Sequence, residues 1–346
     1  MSAEARSTYR VQFRREFDFD DAAAIAGYLS ELGVTHLYAS PYLQAAAGST
    51  HGYDVVDHHR VNEELGGEEG RARLCSALGD AKLGQLLDIV PNHMAVRPGN
   101  RWWWDVLENG PSSVYASYFD VDWEPPDERL HNKVLLPILA GRYGSAVDGG
   151  EVHVEREGGA FFVVYGEQRF PAAPRSLDAI LRQAGGAIGS DDLLALADAF
   201  EALPPASATD RESVERRHRD KEALRRWLAA LLGSDTGAGR AVDAAVASLN
   251  GDPAALDDFL QRQNYRLAFW GTARRELDYR RFFDITELAG VRVEDPQVFA
   301  DTHRLVLAWL ADGSVDGVRV DHIDGLRDPE EYLGRLRSAA PESWIV

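Results

Sequence analysis

Short runs of alternating apolar and polar residues take turns with runs at helical spacing through the first ninety or so positions. Thr8-Tyr-Arg-Val-Gln-Phe13 is rich in β-branched and aromatic residues and predicts a first strand. Asp20 and Asp21 are suited to cap a helix in which Ile25, Leu29 and Leu32 recur about one turn apart, with Gly33 as its stop. Residues 34–39 predict a second strand closed by Pro41, residues 68–78 a second helix, and residues 83–90 a third strand before Pro91. Strand and helix in alternation is the pattern of parallel βα units.

The rhythm breaks over residues 95–280. Trp102, Trp103 and Trp104 open an aromatic-rich part in which packing and sugar stacking are both open readings. Residues 152–165 alternate on either side of Gly158-Gly159 and predict a hairpin, and residues 176–249, rich in Ala and Leu, predict helices. The dense charge of residues 211–226 reads as a solvated helix face. A helix over 301–311, a strand over 315–321, a helix opened by Pro329 and a strand beginning at Trp344 restore the βα rhythm. The expected fold is therefore α/β: an incomplete (β/α)8 TIM barrel of about five strands, with a large subdomain inserted after the third. Its expected parts are 1–94, 95–280 and 281–346.

At 346 residues and 45% hydrophobic, the chain can build a sizeable core. No run of about 18 apolar residues occurs, so no membrane span is predicted. Residues 1–7 lack an apolar signal core, and Cys75, the only cysteine, rules out an internal disulfide; both fit a cytoplasmic protein. A formal net charge of −19 disfavours nucleic acid, whose binding relies on Lys and Arg neutralising phosphates. It does not disfavour a neutral sugar polymer. Arginine carries nearly all the positive charge, which fits a GC-rich genome, while the acidity also fits adaptation to salt.

Strand side chains alternate between faces. Gly317, Arg319 and Asp321 thus share one face of their strand, and Val318 and Val320 the other. Asp88 is out of phase with Leu87 and Ile89 in the third strand. If the two strands are neighbours, Asp88 and Arg319 point the same way and can pair. Unpaired, an inward Arg and two Asp would be costly to bury. Catalytic groups of parallel barrels sit at strand carboxyl ends, where Asp321 and Asn92-His93 fall.

Asp88-Ile-Val-Pro-Asn-His93 and Gly317-Val-Arg-Val-Asp321 resemble the first two sequence regions of the α-amylase family of glycoside hydrolases and transglycosylases. Longer blocks are similar to the maltooligosyl trehalose synthase branch of that family, and the likeness runs along essentially the whole chain. They are Ser49-Thr-His-Gly-Tyr-Asp-Val-Val-Asp57, Arg281-Phe-Phe-Asp-Ile285, Leu288-Ala-Gly-Val-Arg-Val-Glu294 and Asp321-His-Ile-Asp-Gly-Leu326. The resemblance implies retaining chemistry on an α-1,4-glucan. The reducing-end linkage of a maltooligosaccharide would be cut and remade as an α,α-1,1 (trehalose) linkage.

By the same resemblance, Asp321 matches the nucleophile and Arg319 the residue that orients it. Asp88 matches their structural partner. His93 matches a hydrogen-bond donor to the sugar at the cleaved position, and Tyr53 the aromatic stacked on that sugar. His51 and Asp54, flanking Tyr53, are further substrate-binding candidates, with a turn role for Asp54 equally open. Asp324-Gly325 replaces the Lys-His pair common in amylases, which fits a synthase better than an endo-acting hydrolase. The family's general acid, a Glu ending the fifth strand, is expected just beyond Val346, and Glu330, Glu331 and Glu342 sit in helix or loop positions that do not suit the task. The chain is therefore expected to be an N-terminal part, inactive alone.

His58, His59 and His303 are read as structural. Asn92 matches a calcium ligand of some amylases, but without companion ligands no metal and no cofactor are predicted. The expected partner is a maltooligosaccharide or α-1,4-glucan. The alternatives are an amylase-type hydrolase or glucan transferase, and a non-catalytic glucan-binding fragment.

Overall fold

A computed structural model describes residues 7–346, so the signal-core reading of residues 1–7 lies, but for Ser7, outside the described part. The chain forms two compact units: Met1–Arg101, Tyr118–Asp120 and Arg280–Val346 make the first, and Trp102–Ser117 and Val121–Tyr279 the second.

The first unit is built on a five-stranded sheet. Its strands are β1 (Thr8–Val11), β2 (His36–Ala39), β3 (Gly84–Ile89), β4 (Gly317–Val320) and β5 (Trp344–Ile345), side by side in chain order. All four pairings are parallel. The register sets Arg10 beside Tyr38, Tyr38 beside Leu86, and Arg319 beside Asp88. Val318 and Val320 turn to the other face and are buried. Helix Pro296–Asp312 carries its own buried row of Val298, Phe299, Val306 and Trp309. Each such side chain fully buried contributes about 1.5–3 kcal/mol.

Caps differ from the sequence reading at one helix. Asp18, not Asp20 or Asp21, caps Phe19–Ala24; Asp20 and Asp21 lie in the first turn, where their backbone N–H groups donate to it. The Asp18-to-Asp21 spacing is a capping-box spacing, which is why the earlier aspartate wins. The helix then breaks at Ile25 and resumes as Ala26–Glu31. Helix Pro329–Ala339 opens at Pro329 as expected, whereas the helix expected over 301–311 starts earlier, at Pro296; in both an aspartate cap (Asp295, Asp328) stands before the proline.

Two small sheets escaped the sequence reading. Leu43–Ala45 pairs with Val55–Val61, and His93–Ala95, just after β3, pairs with Ile285–Gly290, which pairs in turn with Arg281–Phe282. The second brings the Arg281-Phe-Phe-Asp turn up to the end of β3.

The second unit holds the expected hairpin, Val152–Glu157 with Ala160–Tyr165, extended by Gln168–Pro171. It also holds the expected helices, among them Leu177–Ile188, Asp191–Glu201 and Thr236–Asn250. Val134–Leu139 and Tyr265–Phe269 form a parallel pair far apart in sequence. The charged stretch inside helix Arg211–Ser234 is not simply a solvated face. Arg217 and Lys221 are buried, and Lys221 and Arg225 donate to the buried Glu108 carboxylate. Glu108 comes from the segment after the three tryptophans, so nothing local announces its partners. Trp102 and Trp103 are buried; Trp102 stacks on Tyr115 and Trp103 meets Tyr279 edge-on.

Candidate active site

The carboxyl ends of β3 and β4 bring Asp88, Arg319 and Asp321 together. Because Arg319 and Asp88 are register partners and Asp321 lies two residues on, one guanidinium reaches both carboxylates. Nη1 of Arg319 donates to Asp88 Oδ1 at 3.0 Å and to Asp321 Oδ1 at 2.6 Å. The Asp321 backbone is anchored as well, its N–H donating to the carbonyl of Ile89 at the end of β3. Asp88 is fully buried, whereas the Asp321 side chain keeps 15% exposure. Oδ2 of Asp321 makes no hydrogen bond among the described residues.

Asp88 serves more partners than the sequence suggested. Its Oδ2 accepts from Tyr53 Oη at 2.5 Å, Arg10 Nη1 at 3.0 Å and Tyr38 Oη at 3.2 Å. Partial burial works against the charge of Arg319, but its bonds to Asp88 and Asp321 carry its pKa above the ordinary value. Burial and the hydrogen bond to Asp88 push the Tyr53 phenol up to about 12, so it stays a donor at neutral pH.

Tyr53 stands on a tight turn. Gly52 has φ +80°, and a Cβ there would lie 2.2 Å from the carbonyl oxygen of Pro41, so the position demands glycine. Asp54 supports the same turn: it accepts from the Ser49 hydroxyl, whose oxygen accepts from the Gly52 N–H at 3.1 Å. His51 is exposed; its Nδ1 accepts from the Tyr53 N–H at 3.1 Å and its ring lies 6.0 Å from that of Tyr53. Of these candidates, Tyr53 joins the carboxylate cluster directly, while His51 and Asp54 brace its turn.

His93 is wholly buried, and burial holds its pKa down to about 4. Its Nε2 lies 3.2 Å from the carbonyl oxygen of Tyr53, which only accepts, so the proton sits on Nε2. Nδ1 then accepts from Asn92 Nδ2 at 3.4 Å. Both ring nitrogens are thus engaged by protein groups. The side-chain oxygen of Asn92 accepts from Arg280 Nη1 at 2.6 Å, so a guanidinium occupies the one calcium-type donor noted in the sequence.

Four residues near the cluster were missed: Arg10, Tyr38, Phe283 and His322. His322 follows Asp321 with φ +51° and Phe283 has φ +48°, left-handed conformations that non-glycine residues seldom take. Their rings meet at 4.8 Å, and Phe282 bridges His322 at 4.8 Å and His93 at 4.3 Å. Phe283 is 71% exposed. Such backbone strain collects at functional sites. His303 and Tyr332 are buried and bonded to each other at 2.7 Å.

The arrangement offers a positioned carboxylate with one oxygen left open, beside aromatic faces, which suits attack on a neutral sugar. Known proteins point the same way. The α-amylase catalytic-domain family matches residues 25–155. A Mycobacterium tuberculosis (strain CDC 1551 / Oshkosh) protein carrying the provisional name maltooligosyl trehalose synthase is 40% identical over 98% of this chain and 34% of its own. The solved maltooligosyltrehalose synthase of Arthrobacter ramosus is 37% identical, with a TM-score of 0.69 over 99% of this chain and 34% of that one. Another solved maltooligosyl trehalose synthase gives 33% identity and a TM-score of 0.69 over 99% of this chain and 35% of that one. The chain spans about a third of the length of the curated relatives it matches. Among the described residues, no helix is long and apolar enough to cross a membrane.

Proposed function

This chain belongs to the maltooligosyl trehalose synthase branch of the α-amylase family, corresponding to its members' N-terminal third, and from that premise we propose that it carries the nucleophile half of a transglucosylating site. The parallel five-stranded sheet is read as the first part of a (β/α)8 barrel, with the second unit as the subdomain inserted after its third strand. Asp321 attacks the anomeric carbon at the reducing-end linkage of a maltooligosaccharide. A covalent glycosyl-aspartate forms as the bond to the leaving glucose oxygen breaks and that oxygen takes up a proton. The anomeric hydroxyl of the retained glucose then attacks the same carbon, releasing Asp321 and returning the proton, and an α,α-1,1 link results. A held glucose outcompetes water through effective concentration.

The observation that carries this reading is the sharing of Arg319 Nη1 between Asp88 and Asp321, which holds one oxygen of Asp321 and leaves the other open. Tyr53 is read as the stacking face for the sugar beside Asp321, with His51, Asp54 and His93 as nearby binding or supporting groups. The acid that protonates the leaving oxygen should stand about 5–5.5 Å from the nucleophile. Asp88 is committed to four donors, and Glu331, in helix Pro329–Ala339, is paired with Arg335. We therefore read this chain as inactive alone on ordinary maltooligosaccharides, and the site as one that works in the cytoplasm.

A 5-fluoro-α-maltosyl fluoride tests the nucleophile without the acid, because fluoride leaves unprotonated. Peptide mass spectrometry should find the glycosyl adduct on Asp321 and lose it in Asp321→Asn. An adduct of equal yield in the variant would reject the assignment. An amylase-type hydrolysis or glucan transfer is the second reading, favoured by the α-amylase family match to residues 25–155. In a protein of the relatives' length, free glucose and shorter maltodextrins would support it, and a non-reducing product the synthase.

A further inference from the structure

Arg10 has no place in the reading so far, yet its guanidinium makes three contacts within the carboxylate cluster. It lies on β1, in register with Tyr38 of β2, and its Cζ sits 4.4 Å from the centre of the Tyr38 ring. Nη1 donates to Asp88 Oδ2 at 3.0 Å, and Nη2 donates to Tyr53 Oη at 2.9 Å. The Tyr53 hydroxyl therefore accepts from Arg10 while donating to Asp88, a pair of bonds that fixes its orientation.

Charge makes the role sharper. Asp88 and Asp321 bring two negative charges; Arg10 and Arg319 bring two positive ones. Asp88 is fully buried and cannot turn to water for compensation. Take Arg10 away, and Arg319 faces two carboxylates alone, through a single nitrogen that both already share. We propose that Arg10 is a positioning residue: by balancing Asp88 through its second oxygen it leaves Arg319 available to Asp321, and by holding the Tyr53 hydroxyl it fixes the aromatic face beside them. The functional weight of this role rests on Asp321 being the nucleophile; the geometry does not.

The two halves of the role separate by substitution. Arg10→Met removes both charge and bonds. Arg10→Lys keeps a charge near Asp88 but, as a single ammonium, cannot also span to Tyr53 with the same fork. Asp321 would be followed by carboxyl 13C NMR titration of Asp-labelled chain, assigned with Asp321→Asn, and Tyr53 by aromatic 13C relaxation. The other titratable and charged groups of the cluster, Asp88, Arg319, Tyr38, His93 and His322, are the same in every variant.

Losing a positive charge from a partly buried pair of carboxylates should raise the Asp321 titration midpoint in Arg10→Met by about one pH unit. Arg10→Lys should restore most of that shift while Tyr53 stays more mobile than in the parent chain. A midpoint in Arg10→Met within ~0.3 of the parent would overturn the proposal. So would a Tyr53 as ordered in Arg10→Lys as in the parent, and that measurement decides the matter if Arg10→Met does not fold. Neither readout uses substrate, so a failure of the fluoride-labelling experiment and a failure here are told apart.

Discussion

Asp88→Asn is the substitution on which the site's electrostatics can be tried most directly. The carboxylate is fully buried and accepts from four groups, two guanidiniums and two phenols. An amide of the same shape offers one acceptor oxygen and turns an NH2 towards donors. Removing one partner from a buried ion pair costs about 3–5 kcal/mol. Both arginine side chains keep 34% exposure, so water takes up part of what they lose, and the low end applies: about 3 kcal/mol from the first unit. Asp321→Asn, which breaks a single recorded side-chain contact at a more exposed position, should cost about 1 kcal/mol.

The assay must see the first unit alone. Trp309 belongs to it, is buried, and packs 5.5 Å from Tyr42 with Arg71 over its ring. The 19F resonance of fluorotryptophan at Trp309 through a urea series gives the unit's own transition. If Asp88→Asn unfolds within ~0.5 kcal/mol of the parent, or no further from it than Asp321→Asn does, the idea that Asp88 anchors the cluster is wrong.

In the second unit, Lys221→Met should destabilise by about 3 kcal/mol in urea followed by circular dichroism, because among the described residues Glu108 would be left buried with Arg225 as its one remaining ion-pair partner. A loss under ~1 kcal/mol would mean that the buried lysine matters little. Burial pushes Asp278, which accepts from the Leu135 N–H with both oxygens, up to about 7. Its protonated form favours the fold, so its contribution is complete below pH ~4 and is lost as the pH rises through 7, by about 4 kcal/mol at most. Asp278→Asn should therefore match the parent near pH 4 and exceed it at pH 8 in urea unfolding; an equal gap at both values would contradict the sign.

How much of this was legible in the sequence follows from what each signal was. Asp88 and Arg319 could be paired because alternation set their phase and both lie on strands with clear limits. Arg10 obeys the same alternation, with Thr8 and Gln12 against Tyr9, Val11 and Phe13, but that pattern fits a solvent-facing side equally well. Only the strand order, with β1 two places from β3, shows where Arg10 reaches. The buried Glu108, Lys221 and Arg225 were invisible for another reason. A run dense in charge looks solvated unless the carboxylate it meets, over a hundred residues away in sequence, is known. The small sheet joining residues 93–95 to 285–290 depends on three short segments too brief to carry a periodic signal.

An attacking carboxylate has conflicting needs. It must be held and kept ionised, yet one oxygen must stay open. Arginine alone tends to defeat the second need, since a guanidinium facing a carboxylate readily takes both oxygens at once. Here Asp88 prevents that: its Oδ1 competes for the same Nη1, so Arg319 grips Asp321 by one oxygen only. The competition would weaken the hold on Asp321 if Asp88 pulled with its full charge. Arg10, Tyr38 and Tyr53 moderate that pull by engaging the opposite oxygen of Asp88. The register makes the balance possible, because four neighbouring strands each place one of these side chains on the same face: Arg10, Tyr38, Asp88 and Arg319. As the proposed nucleophile, Asp321 would owe its reactivity to the row, as much to the first strand as to its own.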